Sequence, residues 1–148
     1  MIDRTDALED FTPYLMNRII ARYNKGVEDA LAEAGVSVAQ MRALAVLAQG
    51  GPCTVNELSV LTVIKQSTLS RTLDSMEAAG LIRRVAETGD SRFRRIHLTD
   101  AGRAAHDRAW PAMTTMRDTM LSALDPQDRE TLNTMLMRIF YDIRHHDF

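Results

Sequence analysis

The chain has 148 residues, of which 45% are hydrophobic and 26% charged, and its formal net charge is −2. That is enough for one domain with its own hydrophobic core, and it excludes a polycation, so anion binding must rest on local charge. The single cysteine, Cys53, excludes an intrachain disulfide and a zinc-finger framework, and it suits a reducing compartment.

The chain opens on the acidic, polar stretch MIDRTDALED, which is wrong for a secretory signal. No apolar run approaches the ~18 residues of a membrane span. A soluble, cytoplasmic protein with no membrane partner is expected, folded as one domain over residues 1–148. Thr12-Pro13 reads as an N-cap followed by proline at the first helical position. Phe11, Leu15, Ile19, Ile20, Val27 and Leu31 then recur at helical spacing up to Ala34-Gly35. Ser37 and Gln40 form one capping box, Thr54 and Glu57 a second. Between them a helix carries Met41, Leu44 and Leu47 and stops at Gly50-Gly51-Pro52. A short helix runs to about Leu61, and a third from about Lys65 to Ala79, ended by Gly80 in a left-handed cap.

The period then changes. Residues 81–87 and 94–99 read as two strands, with Thr88 to Phe93 as the loop. Thr99 caps a long helix, about Asp100 to Leu124, which Pro111 should kink. Asp125-Pro126 starts a last helix with an apolar stripe of Leu132, Met135, Leu136, Ile139, Phe140 and Ile143. The fold class is mainly α with a small β-hairpin wing. Two helices joined by a tight turn and followed by a hairpin describe a winged helix-turn-helix over residues 37–99. Residues 1–35 and 100–148 then form N- and C-terminal dimerisation helices, because their stripes are large for a domain already built around its own core. A two-fold dimer would bury them.

In a helix-turn-helix the second helix lies in the major groove with its N-terminal residues at base edges. On the helix from Lys65, the residues Leu69, Leu73 and Met76 make the buried stripe. Ser67, Ser70, Arg71 and Asp74 lie on the far side. Hydroxyls and an arginine offer donors to bases and phosphates. The candidate DNA contacts are therefore Lys65, Gln66, Ser67, Thr68, Ser70 and Arg71, with Arg92, Arg94 and Arg95 at the wing. Between Lys65 and Arg95 seven basic residues face four acidic ones, a net +3 that leaves −5 for the rest. A basic patch on an acidic body is the distribution expected of a reader of double-stranded DNA.

Specific motifs sharpen this. Asp90-Ser-Arg92 followed by Leu98-Thr99 and Gly102 matches the pattern D-x-R-x5-L-T-x-x-G. Ser67-Thr-Leu-Ser-Arg71 through Gly80-Leu-Ile-Arg83 follows S-T-hydrophobic-S/T-R…G-L-I-x-R. On these motifs the chain resembles the MarR family of transcriptional regulators over nearly its full length. Lys65-Gln66 departs from the family, where many members begin this helix with an acidic residue and then lysine. The resemblance implies that Arg92 enters the minor groove, where a narrow groove enhances negative potential. It implies that Asp90 structures the wing by pairing with Arg94 or Arg95. It also implies a homodimer on a pseudo-palindromic operator, and a repressor released by a small aromatic or phenolic ligand. The ligand pocket would lie between the first helix, the second and the long helix after Thr99.

Other residues read more plainly. Cys53 is either a redox sensor or a small structural residue, and the structural reading is preferred because the peroxide-responsive branch of the family carries its reactive cysteine in the first helix, where this chain has none. His97 is a wing residue. His106 lines a pocket or sits on the helix surface. His145-His146-Asp147 resembles a metal site only superficially. Met113, Met116 and Met120 share one face of the long helix, and Trp110 is core. No catalytic arrangement is present, and no cofactor or metal is expected. The rival reading is a winged-helix protein-interaction module without DNA binding, which should lack base-reading donors and a basic wing.

Overall fold

The computed structural model describes residues 8–144, except the side chains of residues 90–93. Six helices and one hairpin follow in order: α1 (Thr12–Glu33), α2 (Val38–Gly50), α3 (Val55–Thr62), α4 (Gln66–Ala78), β1 (Ile82–Glu87), β2 (Asp90–Leu98), α5 (Asp100–Met120) and α6 (Pro126–Ile143). The winged helix-turn-helix architecture expected from the sequence is present.

Local chemistry sets most boundaries. Both capping boxes form: the Gln40 and Glu57 amides donate to Ser37 Oγ at 3.1 Å and Thr54 Oγ1 at 3.2 Å. The Gln40 and Glu57 side chains accept in return from the Ser37 and Thr54 amides. Thr99 caps α5 and Asp125 caps α6. Gly80 takes φ +75°, and the Gly80 and Leu81 amides donate back to the Glu77 and Met76 carbonyls at 2.9 Å, a Schellman closure.

Four boundaries differ from the sequence reading. The N-cap of α1 is Phe11, without a side-chain cap, so Thr12 and Pro13 are the first two helical residues. Lys65 is the N-cap of α4 and Gln66 its first residue. The long helix α5 ends at Met120, and residues 121–124 form a turn in which Leu124 N–H reaches Leu121 O at 3.0 Å. The hairpin loop is only Thr88-Gly89, because β2 begins at Asp90. Gly89 at φ +98° lets two residues reverse the chain. Asp90 pairs with Glu87 through its backbone, which side-chain alternation does not show.

The strands pair antiparallel from Ile82↔Leu98 to Ala86↔Arg94, with an irregularity before Glu87↔Asp90. Cys53 adds a one-residue bridge to Ile96, with Ile96 N–H donating to Cys53 O at 2.8 Å. The core gathers Leu44 and Leu47 of α2, Leu58 of α3, Leu69, Leu73 and Met76 of α4, and Ile82 and Ile96 of the hairpin. Val27 and Leu31 of α1 join it, as do Ala105 and Ala109 of α5. His106 is buried with them rather than on the helix surface, and stacks on Trp110 at 5.2 Å. The small residues Gly102, Ala105 and Ala109 let α5 press close to the core and carry His106 in. Trp110 is half-buried against the core, as are Met113 and Met116, whereas Met120 is exposed.

The apolar stripes of the outer helices stay uncovered. Phe11, Leu15, Ile19 and Ile20 on α1 are exposed, as are Met135, Leu136, Ile139, Phe140 and Ile143 on α6. No residue of α6 is buried.

Candidate nucleic-acid interface

The reading helix is held by its own apolar stripe. Leu69, Leu73 and Met76 are buried, which turns Gln66, Ser67, Thr68, Ser70 and Arg71 outward, with Lys65 exposed just ahead of them. All six residues singled out on this helix therefore lie together at its N-terminal end. The helix has no side-chain cap there, so its first amides remain available to an anion. Gln66 is partly committed, since its side-chain Nε2 donates to Asn56 Oδ1 and ties α4 to α3.

The wing is braced from two sides. Arg84, on β1, donates to Glu77 Oε2 at 2.5 Å and to Asp74 Oδ1 at 2.7 Å, both on α4. The Arg84 amide also donates to Glu77 Oε1 at 2.9 Å. Its side chain is only 18% exposed. Burial alone would lower the Arg84 pKa, but the hydrogen bonds it donates to Glu77 and then Asp74 hold it above the usual arginine range. The Arg84 amide, then its guanidinium, holds the Glu77 carboxyl below the usual glutamate range. The sequence reading counted Arg84 only as one of seven basic residues. Its role was invisible because its partners lie seven and ten residues upstream on another element.

Arg95 makes the second brace. It pairs with Glu87 across the hairpin, lies 3.9 Å from Glu57 on α3, and donates to Pro52 O at 3.3 Å. It is thus placed at the base of the wing against α3. Arg94 is exposed on β2 opposite Ala86. The side chains of Asp90 and Arg92 lie outside the described residues, so the expected Asp90 pairing lies there too. His145-His146-Asp147 also falls outside them. Three of the four acidic residues between Lys65 and Arg95 (Asp74, Glu77 and Glu87) are each engaged by an arginine. Those three carboxylates, which would otherwise repel a phosphate backbone, are internally satisfied.

Other features connect this surface to the outer helices. Arg42 of α2 donates to Asn24 of α1 at 3.3 Å and, at 3.5 Å, to the Thr62 carbonyl that ends α3. Two open clefts lie along α1, one against α2 and one against α5. One, of about 910 Å³, lies between α1 and α2, with Asn24, Lys25, Glu28 and Arg42 among its walls. The other, of about 770 Å³, lies between α1 and α5, lined by Arg18, Arg22, Tyr23, Lys25, Met116 and Met120 among others. Burial raises the Tyr23 pKa. Cys53 is buried, and desolvation, then Glu57, pushes its thiol pKa up. A buried thiol with a raised pKa has little nucleophilic thiolate, which supports the structural reading of this cysteine. Among the described residues no group of His, Cys, Asp and Glu is arranged to hold a metal ion.

Residues 34–92 match the family model described as MarR family. The chain is similar to a solved MarR-family transcriptional regulator from Silicibacter pomeroyi, at 42% identity over 95% of both chains with a TM-score of 0.84. It is also similar to the HTH-type transcriptional repressor IacR of Pseudomonas putida, at 24% identity covering 91% of this chain and 81% of that protein. A MarR variant from E. coli, solved in complex with operator DNA, shares the fold at 18% identity, covering 93% and 98% of the two chains with a TM-score of 0.77. With this fold, these motifs and a near full-length relative, the chain belongs to the MarR family of transcriptional regulators.

Proposed function

We propose that this DNA-binding regulator acts as a cytoplasmic homodimeric repressor without catalytic activity, reading a pseudo-palindromic operator. Residues 37–99 form the reading head, and residues 1–35 and 100–148 the dimerisation region. The observation that carries this reading is the placement of Lys65, Gln66, Ser67, Thr68, Ser70 and Arg71 at one exposed end of α4, with Arg84 joining that helix to the wing. Their donors suit base edges and phosphates. Arg92 and Arg94 supply minor-groove and backbone contacts, Asp90 holds the wing loop, and Arg95 contributes from its base. The uncovered stripes of α1 and α6 meet their copies in the dimer. Two reading heads then engage half-sites about one helical turn apart.

Release follows from a population shift. A ligand that binds one spacing of the two heads better than another moves the equilibrium by its difference in affinity. The α1–α5 cleft supports an aromatic or phenolic carboxylate, because Arg18, Arg22 and Lys25 stand beside Tyr23 and two methionines. Arg42 gives α1 a direct tie to the end of α3.

The test is selection of duplexes from a random pool by the purified full chain at low and near-physiological salt. An enriched inverted repeat that survives the higher salt is the expected result. Enrichment of nothing, with binding that vanishes as salt rises, would mean that only backbone charge is read, and would overturn the assignment. On the enriched duplex, Arg71→Ala and Arg92→Ala should each weaken binding at an unchanged melting temperature.

A further inference from the structure

The turn between α3 and α4 holds a residue in a conformation that its side chain disfavours. Val63 lies at φ 56°, ψ 41°, the left-handed region, where a β-branched side chain is a genuine outlier. It is the one non-glycine residue with positive φ among the described residues. The turn itself needs a left-handed residue. Val63 N–H reaches Val60 O and Ile64 N–H reaches Ser59 O, each at 3.2 Å, and glycine or asparagine would close it without strain. The valine side chain offsets nothing by packing, because it is 84% exposed. Val60 and Leu61 beside it are 77% and 60% exposed. Hydrogen bonds hold the backbone of the turn, Ser59 Oγ donating to Ile64 O at 2.6 Å, but no packing inside the protomer explains an exposed valine at the strained position.

We propose that Val63, with Val60 and Leu61 beside it, makes an apolar contact with operator DNA, to thymine 5-methyl groups or deoxyribose carbons at the mouth of the major groove. The proposal rests on the assignment of α4 as the reading helix. Its support is continuity with that surface: Val63 stands two residues before Lys65 and three before Gln66, where α4 begins. Helix-turn-helix docking brings the N-terminal end of the second helix to the base edges, and the turn that enters it travels to the same groove. Lys65 and the uncapped amides of α4 flank the patch with positive potential, which favours a duplex as its occupant over an apolar protein surface. Aliphatic side chains recognise the thymine methyl in the major groove.

The experiment compares the wild-type chain with Val63→Asn and Val63→Gly on the duplex recovered by selection, beside a melting curve for each protein. Both substitutions relieve the backbone, so each should raise the melting temperature by about 3 °C. Both should nevertheless weaken duplex binding by about fivefold or more, as loss of an apolar contact requires. Replacing each thymine in turn by deoxyuridine then separates the two partners. A position that weakens the wild type but not Val63→Gly identifies a methyl contact. Loss in the variants with no such position identifies deoxyribose. Variants that bind as tightly as wild type would overturn the proposal and leave the DNA-reading assignment standing. A wild-type chain that enriches no duplex would remove both.

Discussion

Gly102 opens the first turn of α5 where the chain leaves the hairpin. An added Cβ would collide with the Leu81 carbonyl oxygen and lie 2.6 Å from Leu98 Cδ1. That carbonyl already accepts the Thr99 amide at 3.1 Å, so it cannot move aside without opening the join between wing and helix. Gly102→Ala should therefore cost about 3 kcal/mol by overpacking, read as a lower urea midpoint at unchanged slope. A change within ±0.5 kcal/mol, the usual range for a surface substitution, would mean that the helix relaxes away from the hairpin. Cys53 makes a second prediction at this scale. Burial keeps its thiol protonated at neutral pH, so a disulfide reagent should modify the native protein far more slowly than the urea-unfolded chain. Equal rates would return the redox-sensor reading to consideration.

At the scale of elements, the question is what holds the wing at a fixed angle to α4. Apolar burial is non-directional, whereas Arg84 bridges Asp74 and Glu77 with directional bonds. We expect Arg84→Gln to reduce the ratio of specific to non-specific duplex binding by about tenfold, comparable to one mismatched base pair. The slope of affinity against salt should stay as in wild type, since no phosphate contact is removed. A slope lower by about 1 would show that Arg84 touches phosphate instead. The charge-reversed pair Arg84→Glu with Glu77→Arg should recover part of the ratio. The pH dependence follows from the lowered Glu77 pKa. A carboxylate with a depressed folded pKa contributes stability that is complete above its unfolded value, about 4.3. That contribution is lost as pH falls through the folded value. The brace is therefore whole at neutral pH and fails only under acid, and Glu77→Gln should flatten that part of the acid unfolding curve.

For the whole molecule, the proposed dimer rests on the exposed stripes of α1 and α6. Seven large apolar residues of α6 alone are uncovered, Met135, Leu136, Met137, Ile139, Phe140, Tyr141 and Ile143, and a second copy is what the proposed function places against them. Ile139→Glu should yield monomers by sedimentation equilibrium. Affinity for a duplex with two half-sites should fall by at least about 100-fold, because the second head loses its tethered effective concentration. A variant that remains dimeric would place the interface elsewhere.

What the sequence determined by itself was most of what neighbours within one helical turn govern, the N-cap of α1 excepted. Ser37, Thr54, Thr99 and Asp125 cap helices because a side-chain oxygen reaches an amide three residues on, whatever the rest of the chain does. Gly80 ends α4 for a similarly local reason. The outward set on α4 was legible too, since helical spacing alone opposes it to Leu69, Leu73 and Met76. Tertiary structure decided what depends on distant partners. The start of β2 at Asp90 rests on backbone pairing with Glu87, which polar side chains do not announce. Arg95 meets Pro52, 43 residues away, and Arg84 meets the far end of α4, so neither could be told from a solvated charge by composition. His106 went inside because the small residues around it let α5 approach the core. Gly102 appeared in the sequence as a motif position, and only packing shows that Leu81 and Leu98 leave no room there for a side chain. Local hydrogen bonds are fixed by the spacing of the backbone, whereas charge pairs and close approaches are fixed only when separate elements come to rest against one another.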